Sequence, residues 1–315
     1  MKKRIVFMGT PSFAVPTLEA LIADKDLQVV AVITAVDKLG GRGRKTIIQS
    51  EVKKAAITHH LPVLQPANLK AQKFVDQFQK LHADLAVVVA FRMLPEVIWS
   101  APKYGTMNLH ASLLPAYRGA APINWAIIKG EKISGLTTFL IAKEIDTGNI
   151  IHQKTLPIEE TDSAGDLHDK MMYEGAALVS RSVRDLLFGV VQLKEQDHSL
   201  ATRAPKIFHE DCQIDSSLSA HQIYNFIRGL SPYPGAWIMM DQLTLKIFGS
   251  SHSILKHSNK PGSLVALGRE KLRLYTYDGY VEFKEVQLQG KKKMDVSSFL
   301  NGYDLAQSDV IQLRN

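Results

Sequence analysis

The feature of this chain that most constrains its fold is a continuous apolar run, ADLAVVVAF, at residues 83–91. Valine-rich runs without polar alternation are typical of strands that are buried on both faces of a sheet. Further strand patterns occur at residues 4–9, 27–34, 105–110 and 135–141. Helical patterns lie between or after them at residues 12–24, 121–130 and 163–189. Such alternation predicts an α/β, Rossmann-like domain with a mostly parallel sheet.

The pattern changes after Gly189. A connecting stretch and one helical pattern at 219–230 precede several short, closely spaced strand patterns, which are separated by turn signals such as Asp278-Gly279. Short strands of this kind predict a small, OB-like β-barrel. A chain of 315 residues also favours two domains over one. We therefore expect a catalytic domain at 1–189, a linker at 190–206 and a C-terminal β-barrel domain at 207–315.

Composition narrows the class of protein. An apolar share of 45% and a charged share of 22% are ordinary for a soluble globular protein. The single cysteine, Cys212, excludes an intramolecular disulfide and fits a reducing, cytoplasmic setting. The first apolar run ends at Gly9, too early for a signal peptide, and no run approaches the ~20 apolar residues of a membrane span. We expect a cytoplasmic protein that does not use a membrane.

Positive charge is concentrated near the second predicted strand. The net charge is +7 and the isoelectric point is near 9.3, values that favour a polyanionic partner. Between Lys38 and Lys54 lie six basic residues and one acidic residue, Glu51. A charge run of this kind often forms only a solvated surface, so the run alone leaves both interpretations open.

The segment NLHASLLPAYRG, at residues 108–119, combines polar groups with an apolar corner. Asn108 and His110 are two residues apart, so on an extended segment their side chains project from the same face. Pro115 stiffens the corner that follows, and Arg118 is expected to form an exposed cationic turn. Ligands of α/β sheets bind beyond the carboxyl ends of the strands. An amide beside an imidazole at that edge suits a reacting carbonyl better than a core.

Other kinds of site fit the sequence less well. The loop GTPSFA after the first strand lacks the later glycines of a dinucleotide fingerprint, although Asp37 lies where a ribose-binding acid would be expected. Asp146-Thr147-Gly148 matches half of an aspartic protease site, and those enzymes need two such loops. No H-E-x-x-H, paired cysteines or G-x-S-x-G motif is present. Direct transfer between two bound substrates, without a metal ion, is therefore favoured.

A family resemblance joins these features. NLHASLLPAYRGAAP resembles the signature of folate-dependent formyltransferases, N-x-H-x-S-L-L-P with Arg-Gly-x-x-P downstream. The DTG motif matches the catalytic aspartate of that family. The start VFMGTPSFAVPTLEAL, the loop GRGRK, the stretch APKIFHED and the tail QGKKKMDVSSFLNG extend the likeness over the whole chain, toward members that act on methionyl-tRNA.

The resemblance implies a reaction and a set of roles. The formyl group of 10-formyltetrahydrofolate would pass to the α-amine of methionine on initiator tRNA, with no covalent intermediate. Asn108 and His110 would donate to the formyl oxygen, where negative charge develops. Asp146 would orient the ring, favour its protonated form and relay protons. The residues expected to contact the folate are Ser112, Leu113, Leu114 and Pro115.

The resemblance also assigns the basic segments to RNA. The glycine-rich loop would enter the tRNA acceptor stem, and lysines of the C-terminal domain would form a second contact with phosphates. The residues expected to bind tRNA are Arg42, Arg44, Lys45, Lys291, Lys292 and Lys293. The stretch at 90–95 is one residue shorter than in relatives, which affects the wall of the folate pocket rather than the three catalytic positions.

Two rival functions share this sequence pattern. A formyltransferase for a small amine, such as glycinamide ribonucleotide or an amino-sugar nucleotide, would use the same three catalytic residues. The basic loop and the C-terminal domain favour tRNA, because a small acceptor needs neither. A non-catalytic RNA-binding protein with the same fold is the second rival. The intact Asn108, His110 and Asp146 argue against it.

Overall fold

The computed structural model describes residues 1–40, 46–240, 242–303 and 311–312. The chain divides into two compact units. The first consists of residues 1–119, 134–156 and 168–203, and the second of residues 120–133, 157–167 and 204–315. The second unit thus takes two segments that precede residue 189 in the sequence. The predicted division into a domain at 1–189, a linker at 190–206 and a domain at 207–315 stays a prediction.

The elements follow one another in a βα pattern through the first part of the chain. In order they are β1 (Lys3–Gly9), α1 (Val15–Ala23), β2 (Leu27–Ile33), β3 (Lys38–Gly40), β4 (Thr46–Ile48), α2 (Glu51–Thr58), β5 (Val63–Leu64), α3 (Gln72–Gln79), β6 (Leu85–Val89), α4 (Glu96–Trp99), β7 (Thr106–His110), β8 (Arg118–Gly119), α5 (Pro122–Ile128), β9 (Ile133–Leu140), β10 (Ile150–Pro157) and α6 (Ala164–Phe188). This order matches the alternation expected from the sequence.

Strands dominate the remainder. The elements are β11 (Arg203–Ala204), α7 (Ala220–Gly229), β12 (Ala236–Met240), β13 (Leu243–Ile254), β14 (Ser263–Leu267), β15 (Lys271–Tyr275), β16 (Gly279–Leu288), β17 (Met294–Asp295), α8 (Val296–Gly302) and β18 (Ile311–Gln312). None of the helices in the described residues combines the length and the apolar composition that a membrane span requires.

The first unit contains a seven-stranded sheet in the order β10-β9-β7-β6-β1-β2-β5. The pairs from β7 to β5 are parallel, and β9 runs antiparallel to β7. All five residues of β6 are buried, as expected of a parallel strand in the middle of a sheet. The predicted Rossmann-like, mostly parallel sheet is confirmed.

The carboxyl ends of β6 and β7 lie side by side and define one edge of this sheet. Val89 at the end of β6 pairs with Leu109 of β7, so His110 lies one residue past the end of β6. Helix α6 approaches β7 closely at Gly175, where a side-chain carbon would lie 2.7 Å from Leu109 Cδ2. Glycine lets the helix lie this close to the strand, because a larger residue would require the Leu109 side chain to move.

The second unit contains an antiparallel sheet in the order β12-β13-β16-β15-β14-β18. Along β16, Val281 and Phe283 are buried while the residues between them are partly exposed, the alternation of a sheet with one apolar face. Helix α7 begins at a capping box formed by Ser219 and Gln222. The predicted small, OB-like β domain is confirmed.

Candidate active site

Asn108 and His110 lie at the carboxyl end of β7. Because they are two residues apart on a strand, their side chains project from the same face. His110 is 6% exposed, whereas Asn108 is half-buried. Among the residues that the structure describes, the side-chain amide of Asn108 has no hydrogen-bond partner. Its N–H groups are therefore free to bind a ligand.

The imidazole of His110 is held by its Nε2 atom. That nitrogen lies 2.9 Å from the main-chain oxygen of Tyr117. A carbonyl oxygen only accepts hydrogen bonds, so Nε2 carries a proton and donates it. The Nδ1 atom lies 3.7 Å from Oδ2 of Asp146, beyond hydrogen-bond length but close enough for strong attraction when the ring is protonated. Nδ1 is therefore the nitrogen left for chemistry.

Asp146 lies in the loop between β9 and β10. Its φ of 55° places it in the left-handed region, which residues other than glycine adopt infrequently. Its Oδ2 atom accepts a 2.9 Å hydrogen bond from the Gly119 N–H. At Gly148 a side-chain carbon would lie 1.7 Å from the carbonyl oxygen of Leu140, so only glycine fits. This close approach explains the glycine of the DTG motif.

Gln196 is a site residue that the sequence did not reveal. It is 4% exposed and lies in the stretch predicted to be a linker. Its Nε2 atom donates to the carbonyl oxygens of Asp146, at 2.9 Å, and Gly148, at 2.7 Å. No helical or strand periodicity marks this stretch, and the contacts join residues about fifty positions apart, so no local signal could have identified it.

Arg118 supports Gln196 from the other side. Its Nη2 and Nε atoms lie 2.6 Å and 3.2 Å from Oε1 of Gln196, and Nη2 also lies 3.1 Å from Nδ1 of His198. The side chain is half-buried. The expectation of an exposed cationic turn at Arg118 is therefore wrong, because the guanidinium is used in these hydrogen bonds.

Segment 117–119 links all these contacts. The carbonyl of Tyr117 holds the ring of His110, the side chain of Arg118 holds that of Gln196, and the N–H of Gly119 holds the carboxylate of Asp146. The structure thus brings the three predicted catalytic residues into one site. The Tyr-Arg-Gly that follows the apolar corner is the part of the chain that fixes their arrangement.

Comparison with known proteins identifies the family. Residues 2–183 match the model of the family described as formyl transferase, and residues 206–304 match its C-terminal domain. The chain belongs to the formyl transferase family. Its members are formyl-transferring enzymes, so the chain is an enzyme of that type, as the motifs predicted.

Relatives with high identity extend over both domains. The chain is 48% identical to a methionyl-tRNA formyltransferase of Azobacteroides pseudotrichonymphae genomovar. CFP2, over 96% of each chain. It is 46% identical to a methionyl-tRNA formyltransferase of Bacteroides fragilis, over 98% of each chain. The N-formyltransferase of Helicobacter canadensis, solved with folinic acid and dTDP-3-aminofucose, shares the fold with a TM-score of 0.66 at 20% identity, covering 93% of this chain and 100% of its own.

The structure limits how the predicted folate residues of this formyl transferase can act. Ser112 is fully buried and donates through its hydroxyl to the Ala116 carbonyl oxygen, and Leu114 packs in the core with Phe139 and Ile150. Leu113 and Pro115 are half-buried. Only Leu113 and Pro115 thus keep partly exposed side chains for a flat ligand. Folate contact by Ser112–Pro115 stays a prediction.

The predicted tRNA contacts are described only in the C-terminal unit. Arg42, Arg44 and Lys45 lie outside the described residues. Lys291, Lys292 and Lys293 are exposed on the turn between β16 and β17. Lys293 lies 2.7 Å from Glu285 and over the ring of Phe248, whereas Lys291 and Lys292 have no side-chain partner in the described part of the chain.

Asp37, at the position expected of a ribose-binding acid, is already paired. Its carboxylate accepts hydrogen bonds from Lys53, at 2.5 Å, and from Gln65, at 2.8 Å. The hydrogen bonds from Lys53 and then Gln65 lower the pKa of Asp37 below 3.8. Asp37 thus joins the segment that follows β2 to Lys53 of α2.

Proposed function

We propose that the chain transfers the formyl group of 10-formyltetrahydrofolate to the α-amine of methionine on initiator tRNA. One observation carries this proposal. Both domains align at 46–48% identity with enzymes named for that reaction, over at least 96% of either chain. The N-formyltransferase solved with dTDP-3-aminofucose also shares the fold over 93% of this chain, but at only 20% identity, so the high identity to the tRNA enzymes, and not the presence of a C-terminal domain, favours the tRNA acceptor.

The first step of the reaction is attack of the amine on the formyl carbon. Negative charge then develops on the formyl oxygen. The unpartnered amide of Asn108 is the donor placed at the strand tip to stabilise it. A donor of this kind is typically worth about 10²–10³ in rate, provided that it is fixed before the reaction begins.

His110 supplies the second donor through Nδ1. Its Nε2 proton is used by the Tyr117 carbonyl, so only a protonated ring offers an Nδ1 proton to the substrate. The carboxylate of Asp146 lies 3.7 Å from Nδ1 and keeps the ring in place. Formation of the new C–N bond removes one proton from the amine, and the departing folate nitrogen takes one up. His110 and Asp146 relay that proton through water.

The tRNA phosphates are bound by residues outside the catalytic trio. Exposed lysines on the turn between β16 and β17, together with the predicted basic loop at Arg42, Arg44 and Lys45, supply positive charge for tRNA phosphates. Such contacts fix the position of the RNA and do not themselves accelerate the chemical step. Catalysis and acceptor binding are therefore separable by mutation.

The test offers two acceptors in parallel. The purified chain is supplied with 10-formyltetrahydrofolate and either methionyl initiator tRNA or glycinamide ribonucleotide, and the formylated product is measured. We expect product on the tRNA and none above background on the ribonucleotide. Transfer to the small amine alone would overturn the tRNA assignment but keep the formyl-transfer chemistry. Binding of tRNA with no transfer to either acceptor would support the non-catalytic rival.

A further inference from the structure

The backbone of the loop that carries Asp146 has to be held by contacts from outside the loop. Lys143, Glu144 and Ile145 before it are exposed to solvent. Asp146 itself has a left-handed backbone, which the chain does not favour without outside contacts. The Gly119 N–H holds the carboxylate but leaves the direction of the main chain free. A further contact to the loop backbone is required to keep the carboxylate near His110.

Gln196 makes that contact. Its Nε2 donates to the carbonyl oxygens on either side of Thr147, those of Asp146 and Gly148. Two donations from one nitrogen fix the orientation of both peptide groups, and burial of Gln196 to 4% exposure shields them from competing water. The side chain therefore acts on the loop backbone and does not touch the reacting groups.

Arg118 determines which way the Gln196 amide faces. Two guanidinium nitrogens of Arg118 donate to Oε1, so the oxygen is turned toward Arg118 and the NH₂ group toward the loop. The next residue, Gly119, donates to the Asp146 carboxylate. Segment 117–119 thus holds both parts of the catalytic aspartate. Gly119 binds the side chain directly, and Arg118 holds the backbone through Gln196.

We propose that Gln196, oriented by Arg118, is a positioning residue that fixes Asp146 relative to His110 during formyl transfer. This inference rests on the function proposed above, because it requires Asp146 to act in the chemistry. A glutamine is needed rather than a glutamate, since two carbonyl oxygens face the group and only an amide both donates to them and accepts from Arg118.

A double-mutant cycle tests the proposal. The chains compared are wild type, Gln196→Met, Asp146→Ala and the double variant, with Gln192→Met as the control because Gln192 is exposed in the same stretch.

We expect Gln196→Met to lower kcat by about 10–100-fold, the range found for outer contacts that orient metal ligands. KM for the acceptor and Kd for folinic acid should change by less than about 2-fold. In the Asp146→Ala background the same change should lower kcat by less than about 2-fold, because coupled residues are not additive.

Several outcomes would overturn the positioning role. Equal losses of kcat in both backgrounds, an equal loss from Gln192→Met, or a loss confined to folinic acid binding would each show that Gln196 does not act through Asp146. Should Gln196→Met not fold, Gln196→Glu keeps the contact with Arg118 while removing both donations, and the same criteria apply.

Normal turnover by Asp146→Ala would instead refute the catalytic assignment. A chain that formylates only the small amine would refute the tRNA acceptor, and the cycle would then be run with that amine.

Discussion

The surroundings of His110 and the core of the C-terminal sheet are both buried, but different interactions build them. Around His110, single hydrogen bonds connect residues from three distant parts of the chain, such as Asp146 and Gln196. In the C-terminal sheet, apolar side chains of neighbouring strands pack on one another, as Leu272 does opposite Phe283. Hydrogen bonds fix direction, whereas apolar packing contributes most of the free energy of folding. Activity and stability should therefore respond to different substitutions.

The largest effect on stability is expected at Phe283. Its side chain is 2% exposed in the core of the C-terminal sheet, so Phe283→Ala leaves a cavity. We expect the free energy of unfolding to fall by about 3–5 kcal/mol, measured by urea denaturation. Folinic acid binding, which we assign to residues of the first unit, should be unchanged at temperatures where the variant is folded. Tyr277→Ala, at a ring that is 65% exposed, is the control and should have little effect.

The largest effect on activity is expected at His110. Replacement by alanine removes the Nδ1 donor and should lower kcat by about 10²–10³. The free energy of unfolding should fall by only about 1–2 kcal/mol, because one hydrogen bond to Tyr117 is lost. Single-turnover formyl transfer and urea denaturation measure the two quantities. His59→Ala, at an exposed histidine, should leave both unchanged, and near-normal turnover of His110→Ala would refute the catalytic assignment.

The two regions were not equally predictable from the sequence. Strand β6 and the tip of β7 follow from local periodicity, which places Asn108 and His110 together without any knowledge of distant contacts. Strand β10 was missed because it is the edge strand of its sheet and three of its central residues are exposed. Gln196 was missed because its role depends on residues about fifty and eighty positions away. Periodicity reports burial, not the direction of a single polar group.

Leu114 is a residue for which the sequence predicted a ligand contact, whereas the structure buries its side chain. The motif that contains it predicts a wall for the folate, yet the side chain packs in the core with Phe139. A sequence pattern identifies an apolar corner but does not show which of two adjacent leucines faces inward. Partial exposure of Leu113 leaves that residue as the better candidate for a ligand contact.

Asp295 offers a comparison with Asp146, since each carboxylate accepts a hydrogen bond from a main-chain N–H. At Asp295 the Ser298 N–H, followed by the Ser297 and Ser298 hydroxyls, lowers the pKa from 3.8 to about 2. A pKa that is lower in the folded state contributes stability above about pH 4, and this contribution is lost as the pH falls toward 2.

Asp295→Asn should therefore lower the unfolding midpoint at pH 5 by more than at pH 3, with kcat unchanged. Urea denaturation across that pH range measures the difference from wild type. Glu270→Gln, at an exposed glutamate with no hydrogen bond in the described part of the chain, controls for the loss of a negative charge. A difference that stays constant with pH would show that the Asp295 carboxylate is not linked to folding.

The smallest effect separates acceptor binding from both catalysis and stability. Lys292 is exposed and has no side-chain partner among the described residues, whereas Lys293 is paired with Glu285. A lysine that contacts a tRNA phosphate contributes about one to the slope of log affinity against log salt. Lys292→Gln should thus raise KM for methionyl initiator tRNA and reduce that slope by about one, with kcat unchanged.

Lys293→Gln should have a smaller effect, because part of its charge is neutralised by Glu285. Lys25→Gln, at an exposed lysine of the first unit, is the control, and an equal loss there would show that net charge rather than a local contact determines tRNA affinity.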